Sequence, residues 1–212
     1  MKSVRAVAIF GLAAIAVFGQ PKKGVRKAAA SPLLHPEALA EKAPAQYKVK
    51  LSTGRGDATI TVHRDWAPLA ADRFYNLVKN GFYNGSPFHR VMPGFVAQFG
   101  IHPTPAVNAA WRAVPMKDEP VKKSNTLGTI GFAADGANSR TTQIYINLKQ
   151  NTSLDRLGFV PFGDITQGFG VTALIYSAYH DKPDAERAIK SGLGFLKRSF
   201  PNLDYVKSAA IE

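Results

Sequence analysis

Phe88-His89-Arg90-Val91-Met92-Pro93-Gly94-Phe95-Val96-Ala97-Gln98-Phe99-Gly100 concentrates the unusual chemistry of this 212-residue chain in thirteen positions. Pro93-Gly94 is turn chemistry between two apolar runs, so the stretch reads as strand, turn and return strand. The side chains of a strand alternate with period two, which puts Arg90 on the face of Phe88 and Met92. A cation among apolar neighbours either sits in a semi-apolar groove or snorkels to water from an edge strand. His89 falls on the opposite face and reads as structural. Phe95 and Gln98 belong to the return strand or to an irregular stretch after it.

The pattern continues on both sides. Upstream, Tyr47, Val49 and Leu51 alternate with Lys48, Lys50 and Ser52, and Ile60 and Val62 alternate with Thr59 and Thr61. With Thr53-Gly54-Arg55-Gly56-Asp57 between them these runs form a β-hairpin. Arg55-Gly56-Asp57 spells an adhesion tripeptide, but a hairpin turn needs Gly and Asp in any case. A helix follows, with Pro68 at its start, Ala70, Phe74, Leu77 and Val78 on one face, and Gly81 past its end. Short strand-like pieces recur at Thr129 to Ala133, Gln143 to Asn147 and Pro161 to Ile165. Helical spacing returns near Gly170 to Ala178, with Val171, Leu174, Ile175 and Ala178 as its apolar face, and from about Pro183 to Phe200. Many short strands with few helices predict a mainly β fold, an antiparallel closed or sandwich-like sheet with capping helices.

The termini differ from this middle. Lys2 and Arg5 precede the uncharged stretch Ala6 to Phe18, 13 residues long. This is the build of a secretory signal peptide, expected over residues 1–19. A membrane anchor is the competing reading, but spanning takes roughly 20 apolar residues. Residues 20–45 carry Pro21, Pro32, Pro36, Pro44 and an alanine run, with no sustained apolar period, and read as a flexible linker, disordered or with a short helix near Glu37 to Glu41. The globular domain is expected over 46–178, and residues 179–212 as a helical C-terminal extension. The protein is expected to be exported, to the periplasm or beyond, with no stable membrane insertion after cleavage of the signal.

Composition narrows the chemistry. The chain has no cysteine, which excludes disulfides, thiolate nucleophiles and Cys-ligated zinc. Its net charge of +12 falls to +7 beyond residue 46, where 20 basic residues face 13 acidic ones. The arginine–aromatic interleaving of single-strand binders does not appear, so the charge reads as a solubilising surface and no nucleic-acid partner is expected. The five histidines, His35, His63, His89, His102 and His180, show no metal-ligand spacing.

Further segments complete a resemblance. Phe132-Ala133-Ala134-Asp135-Gly136-Ala137-Asn138-Ser139-Arg140-Thr141-Thr142-Gln143-Ile144-Tyr145-Ile146 and Leu154-Asp155 followed by Phe159-Val160-Pro161-Phe162-Gly163 occur in order behind the Phe88 stretch. Together these segments resemble the cyclophilin-type peptidyl-prolyl cis/trans isomerases over roughly Tyr47 to Ala178. The resemblance implies an eight-stranded antiparallel β-barrel capped by helices. It implies proline-containing extended polypeptides as partners and no cofactor or metal, and the protein is expected to be a monomer. It makes Arg90 and Gln98 the catalytic pair, with Gln98 orienting Arg90 or bonding the substrate carbonyl. Phe95, Val96, Tyr145, Leu154 and Phe159 would seat the proline ring. Ala133 and Ala134 would present backbone groups to the peptide, and Gln143 would line the neighbouring groove.

The reaction accounts for these residue types. An X-Pro amide must twist against a barrier of ~18–20 kcal/mol, and no covalent bond breaks. The prolyl nitrogen becomes a hydrogen-bond acceptor only when the amide twists. A guanidinium aimed there stabilises the transition state selectively, an effect of about 3–4 kcal/mol. Four positions depart from the family. Ala134 stands where Asn is usual and Ser153 where many members carry Trp. Gly158 or Phe159 replaces a common His, and Tyr145 replaces Phe. The insertion His102 to Ser124 is expected to border the groove. Two non-enzymatic readings are a peptide-binding chaperone without turnover and a basic exported protein that binds anionic polymers.

Overall fold

The computed structural model describes residues 31–212. The expected signal peptide and the first part of the expected linker lie outside them. Strands β1 (Gln46–Thr53) and β2 (Gly56–His63) form the predicted hairpin, in register from Gln46 opposite His63 to Thr53 opposite Gly56. Tyr47, Val49 and Leu51 point inward while Lys48 and Lys50 stay exposed, as a half-buried strand requires.

Helix α1 (Pro68–Lys79) starts on a proline and buries Ala70, Phe74, Leu77 and Val78. Its free N-terminal amides at Leu69 and Ala70 donate to the Glu119 carboxylate, at 2.7 and 3.1 Å. It ends in a Schellman motif: Gly81, at φ +72°, donates to the Val78 carbonyl and Phe82 to that of Leu77, both at 2.9 Å.

Six more strands follow: β3 (Arg90–Met92), β4 (Val96–Phe99), β5 (Thr129–Phe132), β6 (Ile144–Asn147), β7 (Pro161–Gln167) and β8 (Val206–Ile211). All eight form one antiparallel sheet in the order β3-β4-β6-β5-β7-β2-β1-β8. The sheet curls until its edges meet. Gly85 donates to the Val206 carbonyl, Val206 to Ser86 and Phe88 to Asp204, at 2.8 to 2.9 Å, which stitches a seam and leaves little open edge. The expected eight-stranded antiparallel barrel is thus present. Its interior is filled by Val49, Ile60, Ile130, Ile144, Ile146 and the rings of Phe74, Phe132 and Phe162, which lie 5.1–5.2 Å apart in contacting pairs. Each buried side chain of this size stabilises the fold by about 1.5–3 kcal/mol.

Among the described residues four further short α-helices complete the fold: α2 (Pro105–Arg112), α3 (Gly170–Leu174), α4 (Ala185–Ser191) and α5 (Gly194–Ser199). Three expectations need correction here. The part of the linker from residue 31 to 45 is packed, not flexible: Leu33 and Ala43 are buried, the Trp111 indole donates to the Leu33 carbonyl at 2.9 Å, and Ala43 donates to Asp72. The C-terminal extension is not wholly helical. Gly192 splits its helical part into α4 and α5, and its last residues are β8, paired with β1 from Val49–Ile211 to Thr53–Val206. The domain therefore runs past residue 178 to Ile211, since β8 supplies one side of the seam. Finally, α3 is a single short turn of helix whose Leu174 points to solvent.

Candidate active site

The turn at Pro93-Gly94 folds β4 back on β3 so that Arg90 lies opposite Gln98 and Met92 opposite Val96. This register places Arg90, Val96 and Gln98 on the outer face, while Val91, Ala97 and Phe99 point into the barrel. The Arg90 guanidinium donates to Gln98 Oε1 at 3.3 Å, and its centre lies 5.6 Å from the middle of the Phe95 ring. Among the described residues, one carbonyl acceptor and one aromatic face hold the arginine while leaving other donors free. The strand begins only at Arg90, so the period-two reading fails before it. Phe88 packs against Phe99 in the barrel core, away from Arg90. His89, expected on the far face, lines the same groove as Arg90 but is buried. Burial pushes its pKa down to about 4, so the ring is neutral and adds no second positive charge beside Arg90.

Strand β6 supplies the floor. Tyr145 is 1% exposed and packs with Val96 and Leu154, with Phe95 and Phe159 at the margins. The Tyr145 and Phe159 rings meet edge to face at 5.7 Å. Leu154 comes from a 3₁₀ turn, Thr152–Leu157, and Gly158 beyond it adopts φ +78°, which turns the chain back to deliver Phe159. The result is an apolar cup open on one side, with Arg90 and Gln98 at its rim. Ala133, Ala134 and Gln143 continue the surface beyond the rim. The Ala133 amide is committed to the Gln143 carbonyl at 2.9 Å, so Ala133 has only its carbonyl left to offer. All ten residues singled out from the sequence line one groove of about 1010 Å³. Asn108, Arg112 and Pro115 of the insertion border its other end, facing Asp184, Glu186 and Ile189 of the C-terminal region.

The groove has the shape and polarity to take an extended chain with one compact apolar side group in the cup and a cationic donor above it. A family model described as cyclophilin type peptidyl-prolyl cis-trans isomerase/CLD matches residues 48–191. The chain belongs to the cyclophilin-type isomerase family. The peptidyl-prolyl cis-trans isomerase of Acinetobacter baylyi is 36% identical over 129 residues, 58% of this chain and 68% of that protein. Peptidyl-prolyl cis-trans isomerase A of Dickeya dadantii is 34% identical over 129 residues, 58% of this chain and 67% of that protein. A solved cyclophilin-type isomerase of Cryptosporidium parvum shares the fold, with a TM-score of 0.58 and 19% identity over 79% of this chain and 98% of its own. The protein is accordingly a peptidyl-prolyl cis-trans isomerase.

This cyclophilin cup is built on supports that pattern reading did not find. Asn125, wholly buried, accepts from the Tyr145 hydroxyl at 2.7 Å and donates to Asp155 at 2.7 Å and to the Phe159 carbonyl at 2.8 Å. Asn151 donates to the Phe95 carbonyl and to Asn147, both at 2.8 Å. Burial raises the Asp155 pKa, but hydrogen bonds from the Ser124 hydroxyl, the Asn125 side chain and the Asn125 amide outweigh it and lower the pKa overall. Burial, reinforced by Asp155, raises that of Tyr145, so its phenol keeps its proton. On the opposite wall Arg140, 1% exposed, pairs with Glu119 at 3.2 Å and donates to the Lys117 carbonyl, tying the Ala133–Gln143 loop to the insertion and to α1. A lone Asn or Arg such as Asn125 or Arg140 gives no sign of such a role in the sequence, because its partners lie 20 to 34 residues away. The Tyr145 departure is explained by geometry. The Tyr145 hydroxyl points under the cup, over Gly131, where any Cβ would overlap it.

Proposed function

We propose that this protein accelerates rotation about X-Pro bonds in exported client polypeptides, with Arg90 as the catalytic donor. The observation that carries this is the Arg90 guanidinium held by Gln98 and Phe95 at the rim of the Val96–Tyr145–Leu154 cup. A proline ring in the cup would bring the prolyl nitrogen beneath the guanidinium. Twisting the amide frees that nitrogen's lone pair, and the hydrogen bond from Arg90 strengthens as the barrier is crossed. Gln98 fixes the guanidinium or bonds the carbonyl before the proline. Ala133, Ala134 and Gln143 hold the flanking peptide in extended form.

The Cryptosporidium parvum isomerase has also been solved in the presence of the dipeptide Ala-Pro, which supports a proline-containing peptide as the ligand of this groove. Export rests on the charged and apolar pattern of residues 2–18, and the absence of cysteine fits an oxidising compartment. Among the described residues no helix is long and apolar enough to cross a membrane. The test is a protease-coupled assay on an X-Pro peptide. Wild type should raise the isomerisation rate well above buffer, and Arg90→Ala should remove most of that gain. Equal rates for the two proteins would overturn the role of Arg90.

A further inference from the structure

We infer that Asn125 is the positioning residue of the proline cup, locking its floor to its far wall so that the two act as one rigid seat; this rests on the isomerase reading of the groove. The side-chain amide of Asn125 uses its full bonding capacity below the cup. Its oxygen accepts from the Tyr145 hydroxyl at 2.7 Å and from Asn147 Nδ2 at 3.0 Å. Its nitrogen donates to Asp155 Oδ1 at 2.7 Å and to the Phe159 carbonyl at 2.8 Å. The main chain repeats the link: the Asn125 amide donates to Asp155 at 2.9 Å and its carbonyl accepts from Asn151 at 2.8 Å. Asn151 then reaches the Phe95 carbonyl. The floor (Tyr145), the far wall (Leu154 to Phe159) and the near margin (Phe95) thus converge on one buried residue.

The chemistry admits few alternatives at position 125. The carbonyl of Phe159 can only accept, and Asp155, held ionised by its donors, accepts as well. The amide nitrogen must therefore face them and the amide oxygen must face Tyr145. That makes Tyr145 the donor and fixes its hydroxyl away from the apolar cup. Aspartate at 125 would set a second carboxylate against Asp155. Leucine would leave the buried tyrosine hydroxyl without its acceptor and the Phe159 carbonyl without its donor. Gly131 completes the arrangement by leaving room for the hydroxyl. A tyrosine in the floor is thereby presented to the ligand as a plain aromatic ring.

A seat that binds ground state and transition state alike acts on affinity, whereas Arg90 acts on the barrier. The experiment measures kcat and KM in the coupled assay, the Kd of an Ala-Pro peptide by NMR titration, and the thermal midpoint of each variant. Asn125→Ala is expected to raise KM and Kd about 10-fold with kcat held within about 3-fold, the pattern of lost uniform binding. Tyr145→Phe keeps the ring and removes only the hydroxyl, so it should fold and raise Kd by roughly 2- to 5-fold. The double variant should bind no more weakly than Asn125→Ala alone, because both remove the same bond. Unchanged KM and Kd in Tyr145→Phe and in folded Asn125→Ala, whatever their thermal midpoints, would reduce the network to a purely structural one and overturn the inference. If wild type showed no isomerase activity, the functional reading would fall by itself, and the peptide Kd would still decide the role of Asn125.

Discussion

Strand β6 separates two interiors that are equally buried and differently built. Ile144 and Ile146 face the barrel, each 0% exposed, among aliphatic and phenylalanine side chains. Tyr145 and Asn147 face the other way, at 1% and 0%, and there the packing is shared with a network of Asn125, Asn151 and Asp155. The first interior stabilises by area and dispersion, which are tolerant of direction. The second is held by hydrogen bonds whose net worth is small but whose geometry is strict. Burial alone therefore does not say what a side chain does. In this barrel the dry side sets stability, and the polar side sets where the pocket walls stand.

The separation can be attacked from the dry side first. Ile146→Ala removes three carbons from a closely packed interior and should cost about 2–5 kcal/mol, read from denaturant unfolding. Its kcat and KM, measured under conditions where the protein remains folded, should match wild type. A parallel loss of peptide affinity would show that the two interiors are coupled through β6. From the groove side, Arg90→Ala should lower kcat by about 10²–10³-fold, equivalent to ~2.7–4 kcal/mol of transition-state stabilisation. Its stability should move by no more than about 0.5 kcal/mol, because among the described residues the partly buried guanidinium makes one side-chain hydrogen bond.

The two interiors were also unequally legible. Alternation in Tyr47–Leu51 and the spacing of Ala70, Phe74, Leu77 and Val78 mark the dry side, because water forces that periodicity locally. The groove residues were visible through motifs at Phe88–Gly100, Ala133–Tyr145 and Leu154–Phe159, and the structure brings them together. Their supports were not visible, since Asn125 and Arg140 act on partners far along the chain. Alternation puts Phe88 and His89 on the wrong faces because the strand begins only at Arg90. Strand β8 was missed for a related reason: its alternation is broken, with only Val206 and Ala209 buried, and its partner β1 lies about 155 residues earlier. Residues 31–45 have no period at all: a proline-led 3₁₀ turn buries Leu33, and Ala43 is buried separately, beyond the second turn.

His89 tests the boundary between the interiors by pH. Its pKa is about 4 in the folded protein and ~6.5 when exposed, so between these values the unfolded chain binds a proton that the native state refuses. The contribution is fully present above pH ~6.5 and is lost as pH falls toward 4, about 3 kcal/mol in all. His102, whose pKa burial also lowers, acts in the same direction. Unfolding free energies measured from pH 7 to 4 should therefore fall, and His89→Gln should flatten much of the slope. An unchanged slope in that variant would mean that the imidazole is solvated in the native state.

The smallest effect is expected at the rim, where the two roles part most completely. Leu157 lines the groove yet is 70% exposed, so folding gains little from it. Leu157→Ala should shift unfolding free energy by no more than about 0.5 kcal/mol. A client lying along the groove would cover that side chain, and partial burial of a leucine is worth on the order of 1 kcal/mol, or about fivefold in Kd. Peptides that extend past the proline toward Leu157 should lose this increment in the variant, while a bare Ala-Pro dipeptide should bind both proteins equally. Equal losses for long and short ligands would instead place Leu157 among the supports of the cup, and the line between seat and rim would have to be redrawn inward, at Leu154.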